Sequence, residues 1–155
     1  MFDYPTGDGA VPEAGAQYFL PEATERDWSD LLRVTTTRHL SEGETLISPG
    51  DDDRSLYLVN SGHLEVLLPA SRRRWRRVAT VRAGNVIGEL SFFDGETRSA
   101  LVRALTTVAV AELNHDNFAA LARTRPDLAL SVAMDLGRIL ARRLRASAAS
   151  PTLTG

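Results

Sequence analysis

Cysteine is absent from all 155 residues. The chain therefore has no disulfide framework, no thiolate nucleophile, no sulfur-based redox sensing and no cysteine-ligated zinc, haem or iron–sulfur centre. Long apolar runs are also missing: no stretch approaches the roughly eighteen residues needed to cross a bilayer, and the start lacks the basic and apolar regions of a secretory signal. The sequence thus reads as cytoplasmic. Lysine is absent as well, so all 18 basic residues are arginine. That suits bidentate contacts to phosphate but points to no function by itself. His39, His63 and His115 are scattered without a His-x-His pair, which argues against a metal site. No Ser-His-Asp or paired-carboxylate arrangement suggests catalysis, so the expectation is a non-enzyme.

What is present fits one globular domain, with 43% hydrophobic and 25% charged residues. Net charge is −2 but uneven: residues 1–65 hold thirteen acids against four bases, and residues 66–155 seven acids against fourteen bases. Residues 1–20, with Pro5, Gly7, Gly9, Pro12 and Gly15, read as a flexible arm ordered only where Tyr18 and Phe19 meet a core. Trp28, Leu31 and Leu32 at helical spacing predict a helix over 22–33.

From 35 to 113 the pattern changes to short β-branched and apolar runs separated by glycines. Strands are expected at 36–40, 45–47, 55–60, 63–68, 77–81, 86–87, 99–104 and 107–113, at the spacing of an antiparallel sandwich or barrel. Helical periodicity then returns over 116–124 and 126–146, with Asn114 or Asp116 as a cap and Pro126 in a first turn. On the last helix Leu128, Val132, Leu136, Ile139, Leu140 and Leu144 form one stripe. Leu130, Ala133, Met134, Gly137 and Ala141 widen it enough to predict two neighbours, the barrel and a second protein surface. Residues 147–155 read as a disordered tail.

The most informative stretch is VIGELSFFDGETRSALVRA, residues 86–104. A short helix beginning near Glu89 would turn the amides of Leu90 and Ser91 toward an anion. Arg98, returning at the next strand, would clamp phosphate oxygens through two N–H donors. Glu89 would repel a phosphate but can accept a hydrogen bond from a ribose hydroxyl. Gly88 lets the backbone approach closely, and Ser99 adds a hydroxyl. Together these groups suit a ribose bearing a cyclic phosphodiester.

Here the sequence resembles the cyclic nucleotide-binding domains of catabolite activator proteins, protein kinase A regulatory subunits and cyclic nucleotide-gated channels. Two blocks carry the resemblance: the cassette from Ile87-Gly88-Glu89-Leu90 through Arg98-Ser99-Ala100, and the upstream run LSEGETLISPGDDDRSLYLVNSGHLEV. Together they span about residues 31–145. The resemblance implies an eight-stranded antiparallel β-roll with a short N-terminal helix and two C-terminal helices, mainly β with flanking helices. It also implies ligand contacts at Ile87, Gly88, Glu89, Leu90, Ser91, Arg98, Ser99 and Ala100. The ligand would be cAMP, favoured, or cGMP, with no other cofactor. Arg142 and Leu144 are candidates for the lid over the base, and the last helix for a homodimer or partner-protein contact.

With nine residues after 146, a helix-turn-helix does not fit, so no DNA-binding domain is expected in this chain. Membrane contact is expected only through a membrane-protein partner. The alternative is a nucleotide-independent interaction module. Arg72-Arg73-Arg74-Trp75-Arg76-Arg77 reads either as a solvated turn facing Asp51-Asp52-Asp53 or as a docking site for an acidic protein, nucleic acid or anionic lipid.

Overall fold

The computed structural model describes residues 18–149. Its elements are α1 (Glu25–Arg33), β1 (Thr36–Leu40), β2 (Thr45–Ile47), β3 (Leu56–Ser61), β4 (His63–Ser71), β5 (Arg74–Arg82), β6 (Val86–Ile87), α2 (Glu89–Asp94), β7 (Leu101–Ala104), β8 (Val108–Leu113), α3 (His115–Thr124) and α4 (Pro126–Ala149). The strands form two antiparallel sheets, ordered β1-β8-β3-β6 and β2-β7-β4-β5. This is the expected eight-stranded roll with flanking helices.

Strand alternation divides the hydrophobic residues between two cores. On β3, Tyr57 and Val59 point between the sheets with Ile47, Leu64, Val66 and Val102. Leu56 and Leu58 point the other way, into a second cluster with Leu31, Leu113, Leu121, Val132, Leu136 and Ile139. The apolar run 56–59 is therefore buried on both faces, as expected for a strand covered by a sheet on one side and helices on the other.

Several boundaries differ from the sequence reading; the hairpin strands β4 and β5 run three residues further than expected, to Ser71 and from Arg74. Helix α1 starts at Glu25, not 22, because Thr24 and Asp27 form a capping box: each backbone amide donates to the other's side chain at 3.1 Å. At the other end α4 continues through Ala149, so residues 147–149, expected in the tail, are helical, in keeping with their alanines. Within the arm expected over 1–20, Phe19 and Leu20 are core residues. The Phe19 amide donates to Gly84 O at 3.0 Å and the Leu20 amide to Asp135 Oδ2 at 2.6 Å. The remainder of the arm and of the tail lies outside the described residues.

Asn114 caps α3, its side chain accepting from the Asn117 amide at 2.8 Å. Between α3 and α4, Arg125 pairs with Asp27, Asp30 and Asp127, fastening the C-terminal helices to α1.

Candidate functional site

The site is built where β6 runs into α2. Gly88 sits there with φ +92°, and a Cβ on it would lie 2.8 Å from both Arg98 Nη1 and Ser55 O. Only glycine tolerates both the backbone angle and that approach. Helix α2 closes at Gly95, also left-handed, whose amide donates to Ser91 O at 3.0 Å. Arg54 braces this turn, its guanidinium beneath Gly95 and its Nε donating to Ser91 O at 3.3 Å. The chain then returns through Arg98, Ser99 and Ala100 into β7.

Arg98 is 5% exposed. Its Nη1 donates to Gly88 O at 3.0 Å, and its Nη2 to Ser55 O at 2.6 Å and Asp53 Oδ2 at 3.0 Å. Its ion-pair partner is Asp53. Burial pushes the Asp53 carboxyl up, but the Ser55 amide, Arg98 and Tyr57 outweigh that and hold it down at about 2. Tyr57 donates its hydroxyl to Asp53 at 2.8 Å, and Arg98 lies 5.9 Å from the centre of the Tyr57 ring. Arg98 Nε is buried with no hydrogen-bond partner among the described residues. A buried donor left unsatisfied is costly, and an anion would satisfy it.

Glu89 is 2% exposed, and its carboxylate accepts from Arg143 Nη1 at 2.7 Å. Arg143, 1% exposed, also donates from Nη2 to Val86 O at 3.1 Å. A residue of α4 thus neutralises the carboxylate of α2 and fastens the long helix to the end of β6.

All eight residues singled out from the sequence line one cavity of about 340 Å³. Gly88, Glu89, Ser91, Arg98 and Ser99 form its polar wall, together with Ile87, Leu90 and Ala100. Ile47, Val66, Leu68, Val78 and Val102, from β2, β4, β5 and β7, form an aliphatic wall opposite. The first turn of α2 leaves the Leu90 and Ser91 amides without intrahelical acceptors. Such a site offers one guanidinium, main-chain donors and a charge-compensated carboxylate beside an apolar slot.

Sequence reasoning missed Asp53, Arg143 and the aliphatic wall. Arg143 had a usable signal: the buried stripe Leu128, Val132, Leu136, Ile139 continues at i+4 to residue 143, not to Leu144. Leu144 is 57% exposed, Arg142 is also exposed, and neither lines the cavity, so neither lid candidate stands against it in this structure. Among the described residues no group of three or more His, Asp or Glu is placed to hold a metal ion, and no helix is long and apolar enough to cross a membrane.

A family model described as "Cyclic nucleotide-binding domain" matches residues 37–125. The chain is 37% identical over 139 residues to glutaminase 2 of Bradyrhizobium diazoefficiens, a match covering 90% of this chain and 22% of that protein. It is 34% identical over 97 residues to the cAMP-activated global transcriptional regulator CRP of Salmonella typhimurium, covering 62% of this chain and 46% of the regulator. The chain therefore spans less than half the length of either relative. Among solved structures, the Thermus thermophilus catabolite activator protein superposes with a TM-score of 0.74 at 28% identity, covering 83% of this chain and 58% of that one.

Proposed function

Since the chain belongs to the cyclic nucleotide-binding domain family, we propose that it is a cytoplasmic, non-enzymatic sensor that holds a 3′,5′-cyclic mononucleotide, cAMP in preference to cGMP, in the cavity between α2 and β7. The observation that carries this reading is Arg98: a buried guanidinium on the cavity wall that pairs with Asp53 through Nη2 and keeps an Nε donor with no partner among the described residues, open to an anionic oxygen. In this reading Arg98 and the amides of Leu90 and Ser91 hold the phosphate and Ser99 adds a hydroxyl. Glu89 takes the 2′-hydroxyl, its charge already balanced by Arg143. Ile87, Gly88 and Ala100 shape the wall, and the aliphatic side accepts the base. The preference for cAMP rests on relatives described as cAMP-activated and as a cAMP-dependent protein kinase regulatory subunit. The match to a segment of a glutaminase suits a regulatory module that recurs beside different outputs.

Output passes through α4. Its buried face ends at Arg143, so any movement of Glu89 on ribose binding acts directly on the helix. Its opposite face exposes Leu130, Met134, Gly137, Ala141 and Leu144. Their 4-3-4-3 spacing is that of a coiled-coil seam, with small residues at the centre that admit close approach. A second copy of the same helix is the occupant this pattern fits.

Isothermal titration with cAMP and cGMP tests the reading. Arg98→Ala is expected to weaken binding by about 2–5 kcal/mol. Glu89→Ala should weaken the parent nucleotide while leaving a 2′-deoxy analogue little affected. No heat with either nucleotide on the folded parent chain would instead favour an interaction module that works without nucleotide.

A further inference from the structure

The β4–β5 hairpin carries charge that the nucleotide site does not use. Strand β7 accompanies β4 only from Leu64 to Leu67, whereas β4 and β5 remain paired out to Ser71 and Arg74. Beyond Leu67 the hairpin continues as a two-stranded ribbon for four residues, about 13 Å at strand rise. Every residue from 69 to 77 is exposed. Arg77 pairs with Glu65, but Arg72, Arg73, Arg74 and Arg76 make no ion pair with any described residue. The exposure of 69–77 agrees with the solvated turn of the first sequence reading, and no ion pair joins it to the acidic loop 51–53 among the described residues. Between Glu65 and Glu89 the sequence has six arginines and no acid. Such clustering is self-repelling unless a partner neutralises it.

Two further features mark the tip. Arg73 has φ +60°, a left-handed conformation that glycine or asparagine would adopt more readily than arginine. Trp75, paired across the ribbon with Pro69, is 46% exposed. Arginines around one exposed tryptophan combine headgroup-phosphate contacts with a side chain that favours the membrane–water interface.

We propose that the β4–β5 hairpin tip docks this chain on an anionic phospholipid surface. Reach decides between a bilayer and a nucleic acid. Without the five arginines of 72–77, the described residues 18–149 hold seventeen acids against thirteen arginines, a formal charge of −4. A ribbon about 13 Å long holds that acidic body beyond the Debye length of about 8 Å when only its tip meets a flat surface. A nucleic acid strand crossing the tip would run on past the ribbon toward the acidic body, and a single tryptophan offers no succession of stacking platforms. The docking stands independently of the nucleotide reading.

The test is co-sedimentation of the full chain with vesicles of phosphatidylcholine alone, or with about 30% phosphatidylserine, in low and in high salt. The expected result is binding to the serine-containing vesicles only, lost at about 0.5 M salt. Arg72→Ser with Arg74→Ser should lower partitioning roughly 25-fold, about 5-fold per arginine. In a Trp28→Phe background, Trp75 emission should shift to the blue on binding. Equal binding to neutral vesicles, no binding, or indifference to the double substitution overturns the proposal. Tighter association with duplex DNA or RNA than with vesicles at the same salt also overturns it, in favour of a nucleic-acid partner.

Discussion

The Glu89–Arg143 pair offers the sharpest test of how α4 is held. Both side chains are essentially buried, at 2% and 1% exposure, and meet at 2.7 Å. Replacing Arg143 with Met keeps most of the side-chain volume and removes the charge that faces the largely buried Glu89 carboxylate. Two unit charges about 4 Å apart interact by about 4 kcal/mol at an effective dielectric near 20. Breaking a buried pair from one side costs about 3–5 kcal/mol, since the surviving charge has lost its compensation. Loss of the Arg143 bond to Val86 O adds to this. Glu89→Gln should cost less, because an amide oxygen still accepts from Arg143. Combined, Glu89→Gln and Arg143→Met should cost less than the two single effects added, with a coupling of about 1–3 kcal/mol. Urea unfolding of the four proteins, monitored by far-ultraviolet circular dichroism, gives all the terms. Should Arg143→Met fall within about 0.5 kcal/mol of the parent, or the singles simply add, the pair does not join α4 to α2 and the relay through Glu89 fails with it.

The remaining predictions concern association and acid. Met134→Asp places a charge in the exposed seam of α4. Sedimentation equilibrium should show the parent self-associating and the variant monomeric, and a parent that stays monomeric at high concentration rejects the seam. For Asp53 the folded carboxyl lies at about 2 against an ordinary 3.8. Its contribution to stability is therefore complete above about pH 4 and lost as pH falls through 2. Because the side chain is 38% exposed, solvent screening limits the effect to about 1 kcal/mol. Urea midpoints of the parent and of Asp53→Asn should converge over that interval, and a difference unchanged by acid contradicts the assignment.

Much of this architecture follows from local pattern. The short apolar runs of β3 and β8, the glycines between strands, a capping residue at 114 or 116 and the start of α4 at Pro126 all act over a few residues, so they were legible without coordinates. The polar wall of the cavity was equally legible, because residues 87–100 are contiguous and their types state the chemistry: glycine for approach, carboxylate for a hydroxyl, guanidinium for a phosphate. Distance along the chain is what hid the rest. Asp53 and Arg98 are 45 residues apart, and Glu89 and Arg143 are 54 apart. Whether an arginine meets one of several carboxylates depends on how the sheets and helices dock, which local periodicity does not encode. The aliphatic wall is likewise assembled from four strands, each contributing residues that look like any other core positions. The sequence by itself thus determined the elements and the chemistry of one loop. The packing of α4 and of the second sheet decided which charges are buried together, and therefore what that loop can hold and to what it is mechanically joined.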